Sequence, residues 1–328
     1  MSRFRPLLAV FCLLLAAAAC SRPSGANLQF EEQGRDVPEF DGEQAYHWVE
    51  QQLAFGPRVP GTPEHVSTME FLRDRLRDQA GRQAVFVQRF EQEVYGEQLT
   101  MFNVLASFGL QHTDRIVLAA HWDTRPRAER DPERPQDPLM GADDGGSGVA
   151  VLLELARIFA ENPPPIGVDL ILFDGEDYGE ESDLDHYFLG ARHWGANPPV
   201  PGYSPRFGIL LDMVGGRDAI FSKEGYSMQF APNLVNEIWE IAAEKGHGNL
   251  FQDRRGGLVA DDHMIVQRTT GIPMINIIHH TRRPDGSVEF APWWHTHDDD
   301  IDIIDAATLQ AVGDVLLELI YNRIPVSQ

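Results

Sequence analysis

The stretch Phe290–Asp305, FAPWWHTHDDDIDIID, runs two tryptophans directly into two histidines and a cluster of aspartates. A solvated acidic turn would account for the aspartates and an ordinary core for the tryptophans, but neither accounts for their junction. Acids and a histidine recur at the ends of apolar runs elsewhere. His121 and Asp123 follow IVLAA, Asp174, Glu176 and Asp177 follow LILF, and Asp212 follows GILL. Carboxylates and imidazoles gathered at one crevice desolvate and repel one another unless a cation neutralises them, so a metal is the economical occupant. Oxygen and nitrogen donors without thiolate suit zinc, which keeps an open position when catalytic, and they do not exclude manganese or another divalent ion.

Such residues meet only if the runs that carry them are neighbouring strands. The segment GTPEHVSTMEFLRDRLRDQAG predicts a helix, with Thr62 as N-cap, Pro63 in the first turn, Val66, Met69, Leu72 and Leu76 at helical spacing, and Gly81 as the stop. Two strand-like runs, AVFVQRF and MFNVLASF, come next. The chain then alternates RIVLAAHWD (strand), GSGVAVLLELARIFA (helix), VDLILFD and RFGILLDMVG (strands), NLVNEIWEIAAEKG (helix), IPMINII (strand) and a helix from about Ala306 to Asn322. This order predicts an α/β fold, a single globular domain with a central mixed, mostly parallel sheet flanked by helices. In open sheets of this kind ligands bind beyond the carboxyl ends of the strands, where the polar residues fall.

With 328 residues, 43% of them hydrophobic, the chain can build one large core. The 27 Lys+Arg against 50 Asp+Glu leave a net charge of −23 and no basic stripe, which excludes a nucleic-acid partner. Residues 1–20, MSRFRPLLAVFCLLLAAAAC, have the layout of a secretory leader, and LAAAAC resembles a bacterial lipobox with Cys20 as the lipidated residue. An exported, periplasmic lipoprotein anchored through Cys20 to the outer membrane is therefore expected. Cys12 and Cys20 both lie in the leader, so the exported domain has no disulfide. Residues 21–39 read as a flexible tether, 40–328 as the catalytic domain, and a monomer is expected.

Taken in order, AAHWDTRP, GADDGGSGVAVLLELARIF, LILFDGEDYG, LLDMVG and WHTHDD resemble the zinc-dependent aminopeptidase superfamily. FDGED followed by FLGARHW, ADDH before GIPMINI, and a tryptophan immediately before the histidine of WHT resemble the animal-type glutaminyl cyclases within it. The resemblance spans about Asn103 to the C-terminus and implies a zinc aminopeptidase-like fold, one Zn2+ per chain, and conversion of N-terminal glutamine of peptides or proteins to pyroglutamate with release of ammonia. The implied zinc ligands are Asp144, Asp177, where the animal enzymes have Glu, and His295. Glu176 corresponds to the acid/base, and Asp212 and Asp261 to two further acids of the family.

Phe290 and Trp294 match wall positions of the pocket, and Trp293 is an extra aromatic that fits either wall or core. A tryptophan beyond the acid/base is missing here, leaving Tyr178, Tyr187 or Phe188 to supply that wall, and the insertion HHTRRPDGSVE is expected as a rim loop. Helix-cap roles stay open for Asp144 or Asp143 and for Asp261, and a surface position for His297. The rival reading is a two-zinc aminopeptidase in which His121 and Asp212 hold the second ion. A lipoprotein that only binds zinc or a partner is the non-enzymatic alternative.

Overall fold

The structure is a computed structural model that describes residues 28–325, so the expected leader, with Cys12 and Cys20, lies outside the described residues. The described chain begins with strand β1 (Phe30–Glu32) and helix α1 (Gly42–Leu53), whose N-cap Asp41 accepts from the Gln44 amide. Thr62 caps α2 (Pro63–Ala80) by accepting from His65 N–H, and Gly81 at φ +86° ends it, as the sequence predicts. Met69, Leu72 and Leu76 are buried, but Val66 is 41% exposed. His65 is the buried residue on that turn. Its Nε2 lies 2.8 Å from Asp174 Oδ2 and its ring stacks on Trp122 at 4.5 Å.

Strands β2 (Val85–Val94) and β3 (Glu97–Phe108) form a hairpin. Beyond it come β4 (Arg115–His121), α3 (Ser147–Glu161), β5 (Gly167–Phe173), α4 (Leu189–Ala196), β6 (Gly208–Asp212), β7 (Phe221–Lys223), α5 (Gly225–Phe230) and α6 (Pro232–Glu244). The chain continues through β8 (Phe251–Arg255), α7 (Asp262–Thr270), β9 (Met274–Ile278), β10 (Thr281–Arg282), β11 (Val288–Glu289), α8 (Ala306–Tyr321) and β12 (Arg323–Pro325).

The main sheet has the order β2-β3-β5-β4-β6-β9. Its four strands β5, β4, β6 and β9 are parallel, and β2 and β3 are antiparallel at one edge. Side chains of the parallel strands alternate between two cores. Leu118, Ala120, Leu170, Leu172, Ile209, Leu211 and Ile275 pack into the core that includes α1, α2, α3, α6 and α8. Val117, Ala119, Ile171, Phe173, Leu210 and Met274 pack with α4 and α7 on the other face. Burial on both faces is why these strands read as unbroken apolar runs.

β5 and β6 lie on opposite sides of β4, so the strand order reverses there and opens a crevice at the carboxyl ends. The expected tether needs correction. From Leu28 the chain is held to the body, because β1 pairs antiparallel with β12 and Phe30 packs edge-on against Phe207. Among the described residues no helix is long and apolar enough to cross a membrane.

Candidate active site

Each strand facing the crevice delivers one part of the site. His121 ends β4, the turn Asp174–Asp177 follows β5, Asp212 ends β6, and Asp261 caps α7 just before β9. The turn before α3 brings in Asp144. This turn requires glycine at position 145, where φ is +91° and a Cβ would meet Asp123 O at 2.3 Å. His295 also has a positive φ, +60°, in a region that costs a β-carbon residue energy and clusters at functional sites.

Asp144, Asp177 and His295 can each offer one donor atom within 4.8 Å of the others, all buried. His295 Nε2 lies 3.7 Å from Asp177 Oδ1 and 4.0 Å from Asp144 Oδ2. Two donors about 2.0–2.1 Å from a tetrahedral ion sit roughly 3.3 Å apart, so the trio leaves room for one. Asp177 Oδ2 is buried without any hydrogen-bond partner, a lone pair that a cation would satisfy. Burial, then Arg125 and Arg130, holds the His295 imidazole well below its usual range, so it is neutral and able to ligate.

A second trio shares Asp144: His121 Nε2 lies 3.0 Å from Asp144 Oδ1 and 3.3 Å from Asp212 Oδ1. Burial pushes the His121 imidazole down, but Asp123, Asp144 and Asp212 outweigh it and raise it well above its usual range. Burial pushes the Glu176 carboxyl well up, His121 opposes this, and Asp177, Asp261 and Asp262 add to it. Asp261 is raised to about 7, by burial first and Asp212 second. Its cap role and its site role coexist: Oδ1 accepts from Asp262 N–H, while Oδ2 accepts from Asn276 Nδ2 at 2.5 Å at the pocket wall.

These groups floor a cavity of about 250 Å³. Trp294 and Phe290 form one wall, with ring centroids 4.4 Å apart, and Trp294 lies 3.8 Å from the His295 ring. Leu184, Tyr187 and Phe188 form the opposite wall where the tryptophan is missing, whereas Tyr178 belongs to a separate cluster with Phe90 and Met101. Trp293 does not line the cavity. It packs edge-on against His279 and donates from Nε1 to Asp143 Oδ2 at 3.1 Å, which fixes the Asp144 turn. Neither Asp143 nor Asp144 caps α3, whose N-cap is Gly146. Asp143 Oδ1 accepts from Gly215 N–H instead. His297 pairs with Asp131 outside the cavity, and the expected rim loop is the β10–β11 hairpin, whose Val288 reaches the cavity edge.

Sequence reasoning picked out Asp123 as a strand-end acid without its role and missed the other groups that hold these residues in place. Asp299, inside the acidic string, accepts from Asp143 N–H (2.7 Å) and Asp144 N–H (3.1 Å). Asp123 accepts from Glu176 N–H (3.0 Å) and Asp177 N–H (3.2 Å). Arg125 is fully buried and donates to Asp177 Oδ1 (2.5 Å), Tyr187 Oη (2.8 Å), Gly179 O (2.9 Å) and both oxygens of Glu129. Arg58, also fully buried, donates to Trp122 O, Met140 O and Gly141 O. Neither arginine stands out in the sequence: Arg125 lies among Asp123, Glu129 and Asp131, as a surface arginine would, and only the fold shows that it is buried.

A glutaminyl-peptide cyclotransferase of Drosophila melanogaster is 26% identical over 276 residues, covering 77% of this chain and 73% of that protein. A solved glutaminyl cyclase of Bacteroides thetaiotaomicron, bound to N-acetylhistamine, is 42% identical with a TM-score of 0.82, covering 87% of this chain and 99% of that one. A Zn-dependent exopeptidase of Parabacteroides distasonis is also 42% identical, with a TM-score of 0.83, covering 88% of this chain and 100% of that one. Residues 103–320 match the model of peptidase family M28, the stretch that carries every strand end lining the crevice, and the chain belongs to that family.

Proposed function

We propose that this protein is a zinc-assisted glutaminyl-peptide cyclotransferase, converting the N-terminal glutamine of peptides or proteins to pyroglutamate and ammonia. The observation that carries this reading is the cavity itself: about 250 Å³, with Asp144, Asp177, His295 and Glu176 in its floor and Trp294 and Phe290 as its wall. That is below the roughly 300–1,000 Å³ of ordinary ligand pockets, so it suits one folded side chain. An apolar wall of this kind excludes water that would hydrolyse the amide and holds the amine near the carbonyl it attacks. Similarity to proteins described as glutaminyl cyclases supports the same reading.

Zinc, held by Asp144, Asp177 and His295, would supply Lewis-acid polarisation of the γ-carboxamide oxygen. The α-amine nitrogen forms the new bond to the side-chain amide carbon, Cδ, and the bond from that carbon to the amide nitrogen breaks. Glu176 accepts a proton from the attacking amine and returns it to the departing nitrogen, a role suited to a carboxyl raised toward neutrality. Asp261 and Asp212 steer the leaving nitrogen and the relayed proton.

The rival, a two-zinc aminopeptidase, has the second trio in its favour. The cyclase reading is favoured by Trp294, whose ring packs 3.8 Å from that of His295 and walls the cavity with Phe290. The test incubates the purified protein with a Gln-initiated dipeptide and with leucine anilide, with and without chelator. Chelator-sensitive ammonia release with no anilide cleavage is the expected result. Anilide cleavage without ammonia would assign the peptidase, and silence in both would leave only a zinc binder.

Arg125 supplies a further expectation. A lysine cannot reach Asp177, Tyr187, Gly179 and Glu129 together, so Arg125→Lys loosens the ligand that Arg125 orients. Zinc affinity, measured by competition with a chromogenic chelator, should fall about 10–100-fold, the usual cost of losing such a partner. Affinity within twofold of the native protein would show that Arg125 does not position Asp177.

A further inference from the structure

The active cavity has a neighbour on its α5 side. Leu258 and Val288 line both, so the two are separated by a single ridge of side chains. Glycines allow that ridge to sit low: a Cβ on Gly257 would meet Val288 Cγ2 at 2.5 Å, and one on Gly225 would meet Leu258 Cδ2 at 2.7 Å. Leu258 remains 54% exposed, an apolar crest that a bound chain could cross. The neighbouring cavity, about 240 Å³, is lined by Arg255, Arg282 and Gln229. Arg282 stands opposite Val288 in the β10–β11 ladder, so the two side chains share a face.

Among the described residues neither guanidinium has an acidic partner. Glu224, the carboxylate closest in sequence to Gly225, is turned inward and taken by Tyr226 N–H, Ser227, Val259 N–H and His263. Asp285, at the hairpin tip, accepts from Ser287 N–H and Oγ. The groove on the other side of the active cavity also holds arginines, but these are committed: Arg130 pairs with Glu181 at 2.7 Å and Arg283 with Glu289 at 2.9 Å. On a chain of net charge −23, the α5-side cavity therefore sets beside the site two cationic donors without an acidic partner among the described residues.

We propose that this cavity is a subsite for a carboxylate carried by the substrate downstream of its N-terminal glutamine, with Arg255 and Arg282 as the specificity-determining residues. The inference rests on the cyclase reading of the active cavity. A glutamine seated against Trp294 leaves its own carbonyl directed out of the cavity, and a chain continuing over Leu258 and Val288 presents an aspartate or glutamate side chain to the two guanidinium groups. Bidentate contacts between arginine and carboxylate are the geometry that makes such recognition selective.

The experiment uses the peptide amides Gln-Ala-Ala-Ala with glutamate placed in turn at the second, third and fourth positions, so that the side chain is the only carboxylate. One of these should have a KM about three- to tenfold below the all-alanine peptide at low salt, an advantage that shrinks as ionic strength rises. In the double variant R255S/R282S, both sites being exposed, the ratio should fall to near one. Equal KM values for all four peptides with the native protein, or a preference that survives the double substitution, would overturn the subsite. Glutamine amide, which has no downstream residue, reports separately on the cyclase reading. If it and every peptide remain unconverted, that reading fails, and the same ratios measured by calorimetric binding decide the subsite independently.

Discussion

Replacing Glu176 by Gln is expected to lower kcat for a Gln-initiated peptide by a factor of about 10²–10⁴, or roughly 3–5 kcal/mol of barrier. The substitution keeps the shape of the side chain and removes only its capacity to take and return a proton. Because Glu176 is buried among Asp177, Asp261 and Asp262, exchanging its carboxyl for a neutral amide relieves repulsion, so the melting temperature should hold or rise. KM and zinc content should stay close to native values, since Glu176 is outside the ligand trio. The pH profile carries an independent signature. The native kcat/KM rises with pH as Glu176 deprotonates through its raised pKa and as the substrate amine, near 7.7–8.0, becomes neutral. In the variant only the amine limb should remain. A Glu176→Gln protein with native turnover would end the acid/base assignment, because no fold defect could be blamed for a rate that did not change.

How much of this was legible in the sequence depends on where each interaction lives. The strand-end acids were readable because a parallel sheet buried on both faces writes its strands as apolar runs, and the first polar residue after each run marks the carboxyl end. His121, Asp174 and Asp212 were found that way, with Asp177 three residues beyond Asp174 and its ligand role implied by the resemblance, and α2 by its caps. Residues that act on backbone amides left no periodic signal. Asp299 fixes the Asp143–Asp144 turn from 155 positions away, and nothing in the string HDDDIDIID distinguishes it from its solvated neighbours. Trp293 was ambiguous for the same reason: its indole N–H finds Asp143 only after β9 and α3 are in place. The strand β1 was hidden inside a polar, glycine-bearing stretch because its pairing partner, β12, is at the far end of the chain. Three residues of ladder need no strong local propensity when the partner supplies the hydrogen bonds.

Zinc should restore an inactive, chelated protein at one equivalent, and its effect on thermal stability should grow with pH. Without the ion, Glu176, Asp177, Asp212 and Asp261 all have carboxyls raised above their usual range, chiefly by burial, with Asp261 at about 7. A carboxyl whose pKa is higher folded than unfolded contributes stability below the unfolded value and loses it as pH rises through the folded one. Raised His121 acts in the same direction. The metal-free fold is thus penalised as pH rises through the range where these groups ionise, Asp261 at about 7 among them, because His121 and Arg125 offset only part of the repulsion. Zinc reverses the penalty because it favours the ionised ligands, and at 1,000 times its dissociation constant it adds about 4 kcal/mol. For a domain of this size that corresponds to roughly 8–16 °C in melting temperature, at about 2–4 °C per kcal/mol. Buried His279, at about 4, and His280 are lowered by burial and pull the other way, gaining stability as pH rises. They contribute equally to loaded and chelated protein, so the quantity to measure is the difference between the two melting temperatures. That difference should be small at pH 5.5, approach its full value by pH 8, and saturate with activity at a single equivalent of zinc. A pH-independent difference would mean that the buried carboxylates do not face the ion, and saturation at two equivalents would move the reaction to the two-metal chemistry that His121 and Asp212 could support.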